Sequence, residues 1–399
     1  MSSKHYDVAI IGGGIGGLMA AYRLHRNLPG IRVVITERGN TLEKRHCPAG
    51  KNNTCVHCKH CSITSGFAGA GAFSDGKFNL GTAYGGTLGE ELGDDVANRY
   101  IDEVDKILNT YCTSGIPKVY RSNEALKLKC LQNNLRLLDM NVKHLGTDKN
   151  FLTMQNLIHA LADMGTEMLA FYDCEQVEKT ENGYLLHYAN GETIEADRVI
   201  IATGRGGANF VSGFCRSFGV KMRSNHVDIG VRVELPYEVF AHLTDELYES
   251  KIVYRTEKFQ DRVRTFCMNP KGAVVNENTN GIVTVNGHSY EDPAMHTENT
   301  NFALLVAKHF SEPFKDSNGY GESIARLSNM LGGGVIIQRF GDLIRGQRST
   351  PKRIEESFVT PTLSATPGDL SLVMPKRILD GIIEMIYALD KIAPGTAND

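Results

Sequence analysis

A glycine-rich turn near the start of the chain restricts the possible fold more than any other feature. The apolar run at residues 6–11 leads into G-x-G-x-x-G at residues 12–17, and an alanine-rich amphipathic segment follows. This order predicts a strand, a tight turn and a helix whose unpaired N–H groups and dipole bind a pyrophosphate. A second apolar run, residues 31–36, ends in Glu37, at the spacing where an acid binds ribose hydroxyls. The sequence therefore predicts a Rossmann-like dinucleotide site.

Composition narrows the class of protein. The 399 residues suggest about two or three domains, and 41% hydrophobic with 22% charged residues is typical of a globular protein. A net charge of −3 gives no basic field for nucleic acid or an anionic membrane. Because no apolar run approaches the roughly 20 residues of a membrane span and no signal peptide precedes the first strand, we expect a cytoplasmic protein.

Periodicity divides the rest of the chain. Residues 38–90 are rich in Gly, Cys, Ser and Asn and predict a long loop, which in a compact domain is usually functional. Helical spacing over 153–168 predicts a helix, and alternation over 173–188 predicts two strands of a small meander. Short strands with turn residues over 220–290 indicate an inserted antiparallel sheet, and residues 374–392 predict a last helix.

A second strand-and-turn segment, at residues 198–205, points to a particular cofactor. The apolar strand at residues 198–201 ends in Ala202-Thr203-Gly204-Arg205, after the meander. This order is typical of flavoproteins with two dinucleotide-binding domains, in which small residues let the backbone pass beside the flavin nucleotide. It favours FAD over NAD. Val177, within the meander, is expected to contact the adenine through its main chain.

Alternating glycine and alanine at residues 66–73 lead into Ser74, Asp75, Gly76 and Lys77. A flexible loop is one interpretation. In the other, backbone without bulky side chains lies flat against a planar ring and donates N–H groups to it. Ser74, Asp75 and Lys77 would then approach the flavin edge, where the lysine charge would favour an anionic reduced flavin.

Four of the nine cysteines are clustered: Cys47, Cys55, Cys58 and Cys61. Four thiolates can bind an iron–sulfur cluster or zinc. A redox-active dithiol and plain reduced cysteines are the alternatives, and the spacing leaves all three open.

The sequence offers few candidates for residues that transfer protons. Lys77, Asp75 and His288 are the residues that we expect to be catalytic, and His226 is a further possible proton donor. A lone histidine is more often a hydrogen-bonded structural residue.

Together these segments resemble a family of bacterial and archaeal FAD-dependent dehydrogenases within the two-dinucleotide-binding-domain flavoprotein superfamily. The motifs that carry the resemblance lie at residues 12–17, 69–77, 202–205, 265–272, 338–342 and 356–361. The resemblance covers nearly the whole chain.

The resemblance implies an α/β fold with a Rossmann-like, glutathione-reductase-type FAD-binding domain. That domain would comprise residues 1–205, including the loop 38–90, and an α+β substrate domain would be inserted at 206–350. Residues 351–399 would return to the first domain. Such proteins normally continue into a strand containing Gly-Asp, so we expect a truncated chain, a partner that supplies this strand, or a protein that binds flavin weakly or not at all.

The resemblance implies an FAD-dependent oxidoreductase that transfers a hydride between a small organic substrate and flavin N5. The alternatives are electron transfer through a cysteine-bound cluster and a non-catalytic, partner-dependent subunit. Expected partners are a small-molecule substrate and a partner chain or electron acceptor, without nucleic acid or membrane. The expected cofactor residues are Gly12, Gly14, Ile15, Gly16, Gly17, Glu37, Arg38, Gly69, Ala70, Gly71, Ser74, Asp75, Gly76, Lys77, Val177, Ala202, Thr203, Gly204 and Arg205.

Overall fold

A computed structural model describes residues 4–49, 55–83, 85–311, 314 and 316–398. Their strands are β1 (Lys4–Ile11), β2 (Val33–Glu37), β3 (Lys77–Asn79), β4 (Val119–Arg121), β5 (Leu135–Leu137), β6 (Asn141–His144), β7 (Glu167–Ala170), β8 (Cys174–Lys179), β9 (Tyr184–Tyr188), β10 (Thr193–Ile201), β11 (Val227–Pro236), β12 (Ile252–Arg255), β13 (Arg262–Asn269), β14 (Ala273–Thr279), β15 (Ile282–His288), β16 (Asn299–Lys308), β17 (Ile336–Ile337) and β18 (Thr366–Pro367).

Their α-helices are α1 (Ile15–Asn27), α2 (Leu88–Leu92), α3 (Asp94–Tyr111), α4 (Glu124–Leu131), α5 (Gly146–Asp163), α6 (Ala208–Ser217), α7 (Tyr237–Leu247), α8 (Ser317–Gly332), α9 (Phe340–Ile344), α10 (Pro351–Glu355) and α11 (Lys376–Asp390). None of these helices is both long and apolar enough to span a bilayer.

The first main sheet has six strands in the order β7-β2-β1-β10-β9-β8. The four strands from β7 to β10 are parallel, and β9 and β8 add an antiparallel meander. Strand β1 is central, so the turn that follows it opens at the carboxyl edge of the sheet, where α/β folds bind nucleotides. The predicted β-α-β unit and the meander are confirmed.

Helices α1 and α5 cover one face of this sheet. Leu18 of α1 and Leu157 and Leu161 of α5 are fully buried with Ile10 and Ile35 of the strands. Helix α5 starts at Gly146 and ends at Asp163, whereas the sequence predicted a helix over 153–168. Thr153, at the predicted start, lies inside the helix, where its hydroxyl donates to the Lys149 carbonyl one turn earlier.

The second main sheet is antiparallel, with five strands in the order β11-β16-β13-β12-β5. Helices α7 and α11 pack on it around Phe240, Phe302, Ile382 and Met385. The sequence predicted that residues 351–399 return to the first domain, but α11 packs with this second sheet. Its apolar stripe is buried there, against β11, β13 and β16. The predicted domain boundaries themselves stay a prediction.

Candidate functional site

The turn after β1 has a backbone that side chains would not allow. Gly12 has a φ of +108°, and a Cβ there would lie 2.5 Å from the Ala202 carbonyl oxygen. A Cβ on Gly17 would lie 2.1 Å from the Gly12 carbonyl oxygen. These glycines let α1 approach the strand ends closely, as the sequence predicted.

The N-terminus of α1 is open. Gly14 is its N-cap and offers no side-chain hydrogen bond, and the first turn carries no acidic residue. Ile15 and Gly16 are exposed, and a Cβ on Gly16 would meet nothing within 4 Å. The N–H groups of a first helical turn have no partner within the helix, and the helix dipole is positive there. These residues therefore fit the pyrophosphate of a dinucleotide.

Glu37, at the end of β2, joins the turn to two loops. One carboxylate oxygen accepts the Gly13 N–H at 2.9 Å, and the other accepts the N–H groups of Gly39 and Gly66, each at 2.9 Å. The side chain is buried beside the turn. An ionised carboxylate has about four lone-pair positions, so three of them are used and one is left for a ligand hydroxyl.

The glycine–alanine segment lies directly against the turn. The Ala68 N–H donates to the Gly13 carbonyl at 2.8 Å, and Gly14 and Ala68 form a β-bridge. The 3-10 turn Gly69–Phe73 follows, and its Gly71 carbonyl accepts from the Asn150 amide at 2.6 Å. The structure thus brings two predicted cofactor segments together, the glycine turn at residues 12–17 and the segment at residues 69–77.

Arg45 holds the start of this segment in place. Its buried guanidinium donates to the carbonyls of Ser62 at 2.9 Å, Ile63 at 2.9 Å and Phe67 at 2.5 Å. Burial lowers the pKa of Arg45 to about 10, so the side chain stays charged at neutral pH. Three bonds to one cation make this part of the loop a fixed support.

The predicted cofactor segment at residues 202–205 lies on the other side of the glycine turn. The Ala202 N–H donates to the Ile11 carbonyl at 2.8 Å, and Gly204 has a φ of +60°. The Thr203 hydroxyl is buried and makes no hydrogen bond to any described residue. Arg205 pairs with Glu277 of β14, and Arg38 donates to the Gly206 carbonyl at 3.2 Å.

Val177 is further from the turn. It lies on β8, at the outer edge of the first sheet, and its side chain is buried with Ile11 and Val34. Any contact with a nucleotide would be through its main chain, and its role stays a prediction.

Lys77 is buried in a charged cluster. Its ammonium lies 2.8 Å from a carboxylate oxygen of Asp75 and 2.9 Å from one of Glu249, and it donates to the Met268 carbonyl at 2.7 Å. The three side chains are 4% to 6% exposed. Burial alone lowers the pKa of Lys77, but Asp75, then Cys267 and Glu249, raise it well above its ordinary value. The lysine therefore stays protonated, with its charge offset by two carboxylates.

Beside this cluster, three polar side chains meet in the interior. The Tyr248 hydroxyl lies 2.5 Å from His144 Nε2 and 2.6 Å from the Ser289 hydroxyl, and the imidazole stacks on the phenol with ring centroids 3.8 Å apart. Burial, and then the charge of Lys77, lower the pKa of His144 to about 3. The imidazole is therefore neutral at neutral pH and shares hydrogen bonds with two hydroxyls.

Glu249, Tyr248, His144 and Ser289 were not among the predicted site residues. They come from three separate segments, with Tyr248 and Glu249 adjacent, and none of those segments carries a motif with a local spacing. Only the resemblance to a family singled out the neighbouring Cys267, through residues 265–272.

The two predicted histidines lie in different environments. His288 is buried at the end of β15, where burial lowers its pKa while Asp75 and Glu277 oppose that shift. The charge of Asp75, which pairs with Lys77, therefore reaches His288. His226 is exposed, with its ring 5.1 Å from that of His309.

The four clustered cysteines all lie among the residues that the structure describes. Across the described residues, which include all four thiols, no three His, Cys, Asp or Glu side chains are arranged to hold a metal ion. Cys55 accepts from the Asn278 amide at 3.6 Å. Cys47 is exposed, yet loss of water around its sulfur, followed by the charges of Cys61, Cys55 and Cys58, raises its pKa.

Comparison with protein families gives two matches. A family model described as pyridine nucleotide-disulphide oxidoreductase matches residues 6–220. A second, described as FAD-dependent protein, C-terminal domain-like, matches residues 226–399.

Comparison with individual proteins gives more distant matches. An uncharacterized protein of Clostridium beijerinckii is 25% identical over 414 residues, which cover 98% of this chain and 69% of the relative. The structure of NikD, an unusual amino acid oxidase essential for nikkomycin biosynthesis, is 14% identical with a TM-score of 0.40, covering 76% of this chain and 71% of that one. Glycine oxidase from Geobacillus kaustophilus is 13% identical with a TM-score of 0.39, covering 90% and 99%.

Proposed function

Because the chain belongs to the pyridine nucleotide-disulphide oxidoreductase family, whose model matches residues 6–220, we propose that this FAD-dependent oxidoreductase transfers a hydride between a small organic substrate and flavin N5. The observation that carries the proposal is the uncapped N-terminus of α1 beneath the glycine turn. A helix end that carries no acidic residue and no side-chain cap is suited to an anion.

Four groups of residues would hold FAD. The N–H groups of residues 15–17 would bind the diphosphate. The remaining lone-pair position of Glu37 would accept a hydrogen bond from one adenosine ribose hydroxyl. The Thr203 hydroxyl, buried without a hydrogen bond among the described residues, would gain a partner from the cofactor. The segment Gly69–Phe73, which Asn150 holds at Gly71 and Arg45 holds just upstream at Phe67, would lie against the ring.

When bound, FAD supplies the hydride chemistry, and the protein supplies binding, orientation and electrostatics. Lys77 fixes residues 75–77 against the second sheet through Glu249 and Met268. Tyr248 holds its proton on the phenol oxygen, because burial and then the charge of Asp75 raise its pKa well above its ordinary value. We propose that Lys77, Asp75 and His288 set the electrostatic potential beside the flavin ring. Of these three residues, His288 is the uncharged one that could carry a proton.

A charge placed at the helix end tests the proposed cofactor site. Gly16→Asp fits sterically, since a Cβ there meets nothing within 4 Å. Its carboxylate would compete with a diphosphate for the same N–H groups, so we expect FAD affinity to fall roughly 100-fold, as charge-assisted bonds are replaced by repulsion. Flavin fluorescence titration measures the affinity.

Gly213→Asp is the matched control, because a Cβ on Gly213 also meets nothing within 4 Å. It should leave FAD affinity unchanged. Equal affinities of the two variants, or no FAD binding by the native chain, would contradict the proposed site.

Hydride transfer is tested on the FAD-loaded protein without oxygen. NADH, NADPH and a mixture of the twenty amino acids are added separately, and reduction is followed as loss of flavin absorbance at about 450 nm. We expect at least one donor to bleach the band. A band that persists with every donor would overturn hydride transfer while leaving FAD binding intact.

A metal at Cys47, Cys55, Cys58 and Cys61 is the second candidate property. The observation in its favour is the spacing Cys55-x-x-Cys58-x-x-Cys61 with Cys47 upstream, which supplies the four thiolates that an iron–sulfur cluster or zinc takes. Iron and zinc analysis of the purified native chain and of Cys55→Ser tests it. Metal bound by the native chain and lost from the variant supports electron transfer through the cysteines, and metal-free native protein excludes it.

A further inference from the structure

Cys267 lies in an irregular part of strand β13, beside the Lys77 cluster. The pairing of β13 with β16 shifts register between Phe266 and Asn269, and Cys267 has a φ of +49°. A bulge of this kind turns a side chain out of the regular alternation of a strand. The residue is half-buried, in contrast to the fully buried residues that follow it in the strand.

The polar groups around the Cys267 sulfur favour a thiolate. The Lys77 ammonium lies 3.7 Å from Sγ, and the Asn269 amide nitrogen lies 3.9 Å from it. Arg232 brings a second cation close, because its guanidinium donates to the Cys267 carbonyl at 2.7 Å. Nitrogen donors and positive charges next to a sulfur stabilise its ionised form.

The carboxylates of the cluster are directed at other groups. Glu249 accepts the Cys267 N–H at 3.1 Å through one oxygen and pairs with Lys77 through the other. Asp75 also pairs with Lys77. Of these three charged groups, the ammonium is the one that contacts the sulfur directly. At short range the sulfur therefore meets a positive charge.

Other thiols of the chain are less suited to ionise. Burial raises the pKa of Cys130 and raises that of Cys174 to about 12. Cys215, on α6, is half-buried like Cys267, but its sulfur contacts no ammonium group among the described residues. Reactive cysteines are partly exposed and have electropositive surroundings. Cys267 meets both conditions, and these three cysteines do not.

We propose that Cys267 is a site of reversible oxidation by hydrogen peroxide, which converts its thiol to a sulfenic acid. The thiolate sulfur attacks one peroxide oxygen, so an S–O bond forms while the O–O bond breaks, and sulfur loses two electrons. The departing hydroxide takes up the proton that the thiol released and becomes water. Two equivalents of a small thiol reverse the reaction: the first displaces water and forms a mixed disulfide, and the second releases Cys267. The proposal does not depend on flavin chemistry.

The surroundings offer this product a hydrogen-bond acceptor. Asn269 is fully buried, and its Oδ1 has no hydrogen-bond partner among the residues that the structure describes. Its amide nitrogen meanwhile donates to the Cys267 carbonyl at 3.0 Å. A buried polar atom without a partner is unusual in a native protein. The O–H group of a sulfenic acid is a donor for this oxygen, whereas the thiol donates to Asn286 Oδ1 at 3.7 Å.

Oxidation rates of individual cysteines in the full chain test the proposal. The reduced protein is treated with hydrogen peroxide in the presence of dimedone, which traps sulfenic acids, and the adduct at each cysteine is followed by mass spectrometry. Because the rate follows the thiolate fraction, we expect the adduct at Cys267 to form about tenfold or more faster than at Cys215. Equal rates, or a faster reaction at Cys215, would overturn the proposal.

Reversal is measured without dimedone. Peroxide should add one oxygen atom to the peptide that contains Cys267, and dithiothreitol should remove it. An oxygen that dithiothreitol does not remove would contradict a sulfenic acid at this position.

A pair of variants tests the role of the ammonium group. We expect Lys77→Met to slow adduct formation at Cys267 about tenfold while leaving the rate at Cys215 unchanged. Lys127→Met is the matched control, because that ammonium pairs with Glu124 and Asp139 outside the cluster, and it should leave both rates unchanged.

Circular dichroism shows whether each variant folds. An unchanged rate at Cys267 in folded Lys77→Met would contradict the proposed activation, and if that variant does not fold, the two rates in the native chain decide. FAD titration in the same samples reports separately on the cofactor site, so failure of one proposal does not imply failure of the other.

Discussion

The glycine turn and the Lys77 cluster differ in whether their polar groups are already paired within the protein. The turn comes from one short stretch, residues 12–17, and leaves the first N–H groups of α1 without a cap. The cluster joins Lys77 to Glu249 and Met268, which are far away in sequence, and uses the ammonium group fully. Unused main-chain donors suit a ligand, whereas paired buried charges hold segments together.

This difference assigns different roles to neighbouring parts of one predicted motif. The segment 69–77 begins beside the glycine turn and ends in the buried cluster. Its first half, held by Asn150 at Gly71 and by Arg45 just before it at Phe67, keeps backbone near the helix end. Its second half attaches that backbone to the second sheet through Lys77. We therefore expect the cluster to govern stability and the turn to govern cofactor affinity.

The largest expected effect is on the cluster. Glu249→Ala leaves Lys77 with one carboxylate and removes the acceptor of the Cys267 N–H, which is 3.1 Å away. Breaking a buried ion pair on one side costs about 3–5 kcal/mol, so urea unfolding should show a loss of that order. Glu246→Ala is the control: this exposed residue, which accepts from Asn123 at 2.6 Å, should cost about 0.5 kcal/mol or less. Similar losses in both variants would mean that the cluster is not a support.

The next effect depends on pH. The pKa of His144 is about 3 in the folded protein and near its ordinary value of about 6.5 when unfolded. The unfolded chain therefore binds more protons between these values, and stability falls as pH falls through this window. From about pH 6.5 to about pH 5, His144 should account for about 2 kcal/mol of that loss.

Urea unfolding at both pH values measures this loss. His144→Gln cannot titrate and should remove it, whereas His187→Gln, on the meander, should keep the native dependence. An unchanged pH dependence in His144→Gln would mean that the imidazole is not held neutral by the fold.

The smallest effect on stability concerns the turn. Gly17→Ala would put a methyl group 2.1 Å from the Gly12 carbonyl oxygen, and overpacking of this kind costs about 1–3 kcal/mol. Gly16→Ala meets nothing within 4 Å and should raise stability by up to about 1 kcal/mol, since alanine restricts the unfolded chain. Thermal unfolding without cofactor compares the two. A stable Gly17→Ala variant would show that close approach of α1 to the strand is unnecessary.

Sequence reasoning was most successful where neighbouring residues act on each other. The glycines at 12 and 17, the strand that ends in Glu37 and the meander before Ala202 follow from backbone sterics and periodicity, and the structure has them. The sequence did not predict that α11 packs on the second sheet. Its apolar stripe could cover either sheet, and the tertiary structure decides which of them has an uncovered apolar face. The helix predicted to begin at 153 begins at Gly146, because a threonine hydroxyl can bond inside a helix as well as cap one.

By itself the sequence determined the nucleotide-type turn, since φ/ψ preferences and side-chain volume act over a few residues. Only the tertiary structure decided that Lys77 meets Glu249, that Tyr248 lies between His144 and Ser289, and that the Cys267 sulfur lies beside the Lys77 ammonium. These contacts join segments that no local preference relates. Burial then fixes their charges, because the cost of removing an ion from water depends on every element packed around it.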